Sequence, residues 1–368
     1  MTLDQLAQLH WMVLGASGLV SIGLGALMHR THFCTMGAVS DAVVIESFDR
    51  LRQWALALVV AMLGFAVFTW AGWLTPLQTI YATPSILWLS TSLGGLMFGW
   101  GMVLASGCGA KSLVRLGSGN LKSLIVLLVM GISALMTIKG ILAIPRVQWL
   151  ETMAWTPVQG VFLGQWAADL FELDMPQGML MAAMIVALVL AIWVFKDKIF
   201  VNAQNLFAGV CVGALLILMW LISGVLGHGL EHPETLEEFF IATSSRKMEA
   251  LSLTAPVAFG LDALMYFSDG TKRLTLGMVS VVGIALGAFI SAQAAGLLKW
   301  ESFVNRADLI RHMAGGALMG VGGVLAMGCS LGQGLSGMST LSVASVVATA
   351  AMVLGAYAAL KFELRHQV

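Results

Sequence analysis

The sequence predicts an all-α polytopic membrane protein, and three observations carry that prediction. Of the 368 residues, 59% are hydrophobic and only 10% are charged, against about 25% charged in soluble domains; mean hydropathy is +0.90. Residues 53–110 and 313–360 contain no Asp, Glu, Lys, Arg or His, and each run is long enough for two passes of roughly 20 residues. Two glycine-rich stretches, GGLMFGWGMVLASGCG (94–109) and GGALMGVGGVLAMGCS (315–330), repeat each other around a cysteine. At a constant offset of 221, Gly94, Gly95, Gly99, Gly101, Leu104, Ala105, Gly107 and Cys108 match Gly315, Gly316, Gly320, Gly322, Leu325, Ala326, Gly328 and Cys329.

Further spans are expected at 11–28, 121–143, 178–195, 205–226 and 274–298, and 250–267, interrupted by Asp262, reads as a partial crossing. The total is nine or ten transmembrane helices plus short broken helices. Residues 1–10 lack the basic start of a secretory signal and the chain stays apolar after Met28, so the first stretch reads as a retained helix. Residues 46–53, 146–174 and 228–249 read as loops with short helices, none long and polar enough for a soluble catalytic domain. No enzyme activity, cofactor or metal is therefore expected. Lys plus Arg equals Asp plus Glu, 19 each, so no basic excess points to nucleic acid.

Basic residues in short loops tend to stay cytoplasmic. The loop after the first span holds Arg30, Arg50 and Arg52, the next holds none, and the one after holds Lys111, Arg115 and Lys122. This alternation predicts an N-terminus outside the cytoplasm. The 228–249 loop, with Glu231, Glu234, Glu237 and Glu238, is compatible with that side.

Four cysteines occur. Cys211, in GVCVGALLILMW, reads as a small buried hydrophobe. Cys34 lies between HRTHF and TMG, Cys108 between Gly107 and Gly109, and Cys329 between Gly328 and Ser330, ahead of LGQGLSG. Glycine costs about 0.5 to 1 kcal/mol in a helix interior, and non-helical backbone in a bilayer is tolerated only where protein or a wet cavity covers it. These settings read as ends of half-helices at such a cavity, where transporters bind their substrates. The upstream pairs Gly95/Gly99 and Gly316/Gly320 are assigned to helix packing. Convergent thiols could also ligate copper or zinc, close a structural disulfide or act as nucleophiles; the sequence leaves these chemistries open.

The segments HRTHFCTMG, GGLMFGWGMVLASGCGAKSLVRLGSG and GGALMGVGGVLAMGCSLGQGLSGMS resemble the cysteine-bearing signatures of the YeeE/YedE family of bacterial inner-membrane sulfur transporters. The resemblance implies an hourglass of two pseudo-symmetric halves, with short helices reaching the membrane centre from both sides. It implies a single transport domain over 1–368, with half-repeats at about 11–145 and 250–360 joined by helices in 146–249. It also implies a multi-pass location in the inner membrane with a periplasmic N-terminus, and uptake of thiosulfate or a similar small sulfur anion past Cys34, Cys108 and Cys329. A small cytosolic sulfur-carrier protein is an implied partner. The region matching Cys34 in the second half, FGLDALMYFSDG, offers Asp262, Ser268 and Asp269 instead. A selenium compound as substrate is an alternative, as is a membrane sulfur-transferase or redox subunit that uses the cysteines covalently.

A dianion in a low-dielectric constriction needs donors to replace its water. Thiols that keep their protons in apolar surroundings supply weak S–H donors, and three in series allow handover from one to the next. Gly107, Gly109, Lys111, Gly328, Ser330 and Gln333 are expected to support them: the glycines through backbone amides, Ser330 and Gln333 as donors, and Lys111 by tuning the anion accepted. Arg30 and Arg115 are candidates for gathering anions at the mouth.

Overall fold

The computed structural model describes residues 3–198, 200–231, 236–268 and 273–366; Glu234 and Asp269, named above, lie outside them. In chain order the helices are α1 (Leu3–Thr31), α2 (Thr35–Val44), α3 (Asp49–Trp70), α4 (Trp88–Leu104), α5 (Gly109–Gly117), α6 (Leu121–Ile138) and α7 (Ala143–Pro145). They continue with α8 (Leu163–Phe171), α9 (Met175–Phe195), α10 (Ala203–Leu221), α11 (Thr254–Met265), α12 (Leu276–Ala294), α13 (Arg306–Leu325) and α14 (Val343–His366). One small antiparallel pair, His228–Gly229 with Phe239–Phe240, ties a loop.

Among the described residues, eight helical stretches are long and apolar enough to cross a membrane. They contain α1, α3, α4, α6, α9, α10, α12 and α14. Helix α13 has 20 residues, opens with Arg306, Asp308 and Arg311 and packs against both α4 and α6; it is not among the eight, which is fewer than the nine or ten expected. Two of its charges are matched by other helices, with Lys122 on Asp308 at 2.7 Å and Arg311 on Glu363 at 2.5 Å. The charge-free runs each supply two long helices, and the expected partial crossing is α11, 12 residues long.

The halves correspond in packing as well as in sequence. Helix α1 lies along α12 as α10 lies along α3, and α4 lies along α14 as α13 lies along α6. At the centre α4 and α13 cross backbone to backbone. A Cβ on Gly94 would stand 2.7 Å from the Gly322 carbonyl oxygen, and one on Gly322 would stand 2.6 Å from that of Gly94. Gly101 and Gly315 face each other in the same way, at 2.7 and 2.8 Å. Partners run in opposite order, 94 with 322 and 101 with 315, so the helices are antiparallel. Because Gly94 and Gly315 are equivalent in the repeat, a pseudo-two-fold axis passes between them and the repeats are inverted.

Both crossing helices end alike. Ser106 (φ 56°) and Met327 (φ 58°), 221 positions apart, adopt the left-handed conformation, which costs a non-glycine residue about 1 kcal/mol. The next N–H closes each end, Gly107 onto the Met102 carbonyl and Gly328 onto that of Gly323, both at 2.8 Å. This is the Schellman pattern. Side chains from the returning segments satisfy the carbonyls left over: Arg115 Nη1 donates to Ser106 O at 2.8 Å, and Gln333 Nε2 donates to Ala326 O and Met327 O at 2.8 and 3.0 Å.

The crossing gives a direct test. Gly101→Ala places a methyl against backbone and is expected to destabilise the protein by about 1–3 kcal/mol, the range for overpacked cores, lowering its thermal midpoint in detergent. Gly15, where a Cβ meets nothing within 4 Å, serves as control: Gly15→Ala leaves the midpoint unchanged or raises it, since alanine is the better helix former.

Candidate functional site

Cys34 and Cys108 stand immediately before the short helices α2 and α5, and Cys329 stands three residues before the π-helical turn Gly332–Gly337. All three are buried and all four cysteines are free thiols. Cys34 caps α2, its Sγ accepting from the Gly37 N–H at 3.4 Å. Cys329 Sγ accepts from the Gly332 N–H at 3.3 Å, the same three-residue relation. Cys108 holds the N-cap position of α5 in extended backbone without a capping bond of that geometry; its thiol lies beside the Lys111 N–H and turns toward neighbours from other segments. An acceptor bond at sulfur leaves each S–H free to donate, and the unpaired N–H groups of a helix start carry partial positive charge.

Those neighbours join the two halves. The Cys34 and Cys108 side chains are neighbours in the protein interior, and the Ser330 side chain is a neighbour of Cys108. Ser330 follows Cys329 and is the repeat counterpart of Gly109. The structure thus makes neighbours of Cys34 and Cys108 and sets Cys329 next to the serine beside Cys108. Cys211 is apart, half-buried on α10 and packed on the apolar core. Among the described residues no group of three or more His, Cys, Asp or Glu is placed to hold a metal ion.

A cavity lies on either side of this meeting point. One, of about 350 Å³, is lined by Tyr81, Glu249, Ser252, Met327, Gly328 and Gln333. The other, of about 300 Å³, is lined by Met28, His29, His32, Phe33, Lys111 and Arg115, with Val114 and Ser118. The first has Tyr81 on its wall, and the second lies at the end of α1 near Arg50, whose guanidinium stands against Gly37 in the first turn of α2.

The supporting residues fall into place unevenly. Gly107 carries the stem of Lys111: a Cβ there would lie 3.2 to 3.4 Å from the Lys111 Cγ, Cβ and Cδ. Gly109 faces Met130, and Gly328 faces Gln333. Gln333 already spends its amide nitrogen on two carbonyls, and its Oε1 accepts from Ser345 Oγ at 2.6 Å, so its polar atoms position backbone. Asp262 lies at the outer part of α11, with Lys139 Nζ at 3.1 Å; the N-cap of α11, in the place that Cys34 takes before α2, is Leu253.

Sequence reasoning missed Tyr81. Its hydroxyl donates to the Gly332 carbonyl at 2.6 Å, in the turn that Cys329 heads. Burial, with Cys329 and Glu249 nearby, raises its pKa, so the phenol stays a donor. Trp220 packs edge-on against it and donates to Ser339 Oγ at 3.1 Å. Glu249 was missed too; its Oε1 accepts from the N–H and hydroxyl groups of Ser244 and Ser245 at 2.6 to 3.0 Å. The only available signal was a hydroxyl-bearing aromatic in a charge-free loop, in a chain with 3 tyrosines.

Comparisons agree with this architecture. The chain is 27% identical over 362 residues to the thiosulfate transporter TsuA of Escherichia coli (strain K12), covering 91% of this chain and 90% of that protein. It is 25% identical over 346 residues to the thiosulfate transporter TsuA of Spirochaeta thermophila, covering 92% and 95%. A shorter match, 26% over 117 residues, joins it to the probable transporter YedE of Salmonella typhimurium, covering 31% of this chain and 27% of that one. These relatives are transporters, and the chain is a multi-pass membrane sulfur transporter, not an enzyme. The profile of the family described as "Sulphur transport" matches residues 30–358, and the chain belongs to that family.

Proposed function

We propose that this protein takes up thiosulfate, or a closely related small sulfur anion, through a waist formed by Cys34, Cys108 and Cys329. The observation that carries this reading is the closeness of two buried thiols, with Ser330 beside Cys108 and next in sequence to the third thiol, and cavities lined by residues that flank them. The two relatives that match over nearly the whole chain bear the name thiosulfate transporter. A thiosulfate ion leaving water for this constriction loses hydration that protein donors must replace. Three S–H groups, backed by the N–H groups at helix starts, offer weak and repeated donation, so that no single site holds the ion. It passes from the Tyr81 cavity to Cys329, across Ser330 to Cys108 and Cys34, and out through the Arg50 cavity.

In this reading the Arg50 face is cytoplasmic, because the loops of that side carry Arg30, Arg50 and Arg52 and then Lys111, Arg115 and Lys122. The N-terminus is then periplasmic and the membrane is the bacterial inner membrane. The second half-repeat begins at α10, which pairs with α3 as α1 pairs with α12, and α7 to α9 join the two. A cytosolic sulfur carrier that consumes the ion would draw uptake forward.

Replacing Cys108 or Cys329 by alanine is expected to reduce radiolabelled thiosulfate uptake to background while the protein still reaches the membrane and purifies as a single species; normal uptake by either variant refutes the waist. Intact-mass measurement after exposure to thiosulfate is expected to find unmodified thiols, whereas added sulfur would convert the reading to covalent transfer. Tyr81→Phe removes the donor to Gly332. It is expected to cost about 1–3 kcal/mol, the price of an unsatisfied buried carbonyl, and to slow uptake several-fold without altering thiol reactivity in a maleimide assay.

A further inference from the structure

We propose that the cavity on the Arg50 face is a second anion site, one that binds a small tetrahedral divalent oxyanion through cations and does not need the thiols. Its volume of about 300 Å³ is several times the roughly 30 Å³ share of a water molecule, enough for such an ion with part of its hydration. His29, His32, Lys111 and Arg115 line it, and no carboxylate does.

Three other cations of this face have anionic partners: Arg50 with Asp41 at 3.2 Å, Arg52 with Asp197 at 2.6 Å and Lys122 with Asp308 at 2.7 Å. Lys111 makes no ion pair or side-chain hydrogen bond among the described residues, although it is partly buried and its stem is laid over Gly107. An ammonium drawn out of water without a partner is costly, and an incoming anion supplies that partner. Arg115 commits one N–H to Ser106 O and keeps four. His29 engages Ser291 Oγ through Nδ1 at 3.0 Å, which leaves Nε2 for a ligand.

Two permanent positive charges, Lys111 and Arg115, match the two negative charges of thiosulfate or sulfate. Cations distinguish these ions poorly, because they share charge and tetrahedral shape; any discrimination by sulfur chemistry belongs to the waist. Under the transport reading above, on which its biological role rests, this site receives thiosulfate leaving Cys34. It also admits sulfate from the same side, which then obstructs the exit.

The test is calorimetric titration of the purified full-length protein with sodium sulfate and with sodium thiosulfate. Wild type is expected to bind sulfate at one site and thiosulfate at two. Lys111→Met is expected to weaken sulfate binding at least tenfold and Lys111→Arg to restore it, with thermal midpoints confirming that both variants fold. In proteoliposomes, sulfate on the Arg50 side is expected to slow thiosulfate flux in wild type and not in Lys111→Met. Absence of sulfate binding to wild type, or equal binding by Lys111→Met, overturns the site. Failure of the waist gives a different signature: Cys108→Ala then transports thiosulfate normally, whatever the sulfate isotherm.

Discussion

Along α4 and α13 two backbones meet with nothing but glycine between them, and most of what the rest of the chain does follows from that contact. Glycine at 94, 101, 315 and 322 lets carbonyl oxygens approach where any side chain would intrude. The close approach fixes where both helices stop, and so where both chains turn back. Each turn is paid for in strain at Ser106 and Met327 and then stabilised by a long side chain, Arg115 in one half and Gln333 in the other. In hydrocarbon these bonds are obligatory, because no water reaches a carbonyl that a broken helix leaves unpaired.

Three thiols sit at the beginnings of the segments that this arrangement turns inward. Sulfur is large, polarisable and a weak donor, and at Cys34 and Cys329 it already accepts from its own helix start. The result is a lining that can exchange one partner for another at little cost. In the proposed pathway lysine is kept off this lining: Lys111 lines the cavity beside it, where an ion would regain room for water. Strong attraction and weak donation are thereby separated along the same axis.

Much of the fold was legible because lipid imposes length and removes charge. The runs 53–110 and 313–360 could only be paired helices, and they are. The start of α13 was not legible, since Arg306, Asp308 and Arg311 look like a loop until Lys122 and Glu363 arrive from elsewhere in the chain to pair with them. The cysteine settings were marked by glycine, a local signal. That Cys34 neighbours Cys108 was not written locally, because 74 positions separate them and only tertiary packing closes the gap. Gln333 carried the composition of a ligand donor but serves the backbone, a distinction that depends on which carbonyls the preceding turn leaves bare.

The seam between α4 and α13 also limits how the molecule can move. Where these glycines face the partner's backbone no flexible side chain lies between to yield, so sliding one helix along the other would press backbone against backbone. That contact resists sliding of one half against the other, and in the proposed pathway passage at the centre is left to small rotations of sulfur and hydroxyl groups. Under the function proposed above, such a seam fits a fixed sieve better than a rocking gate.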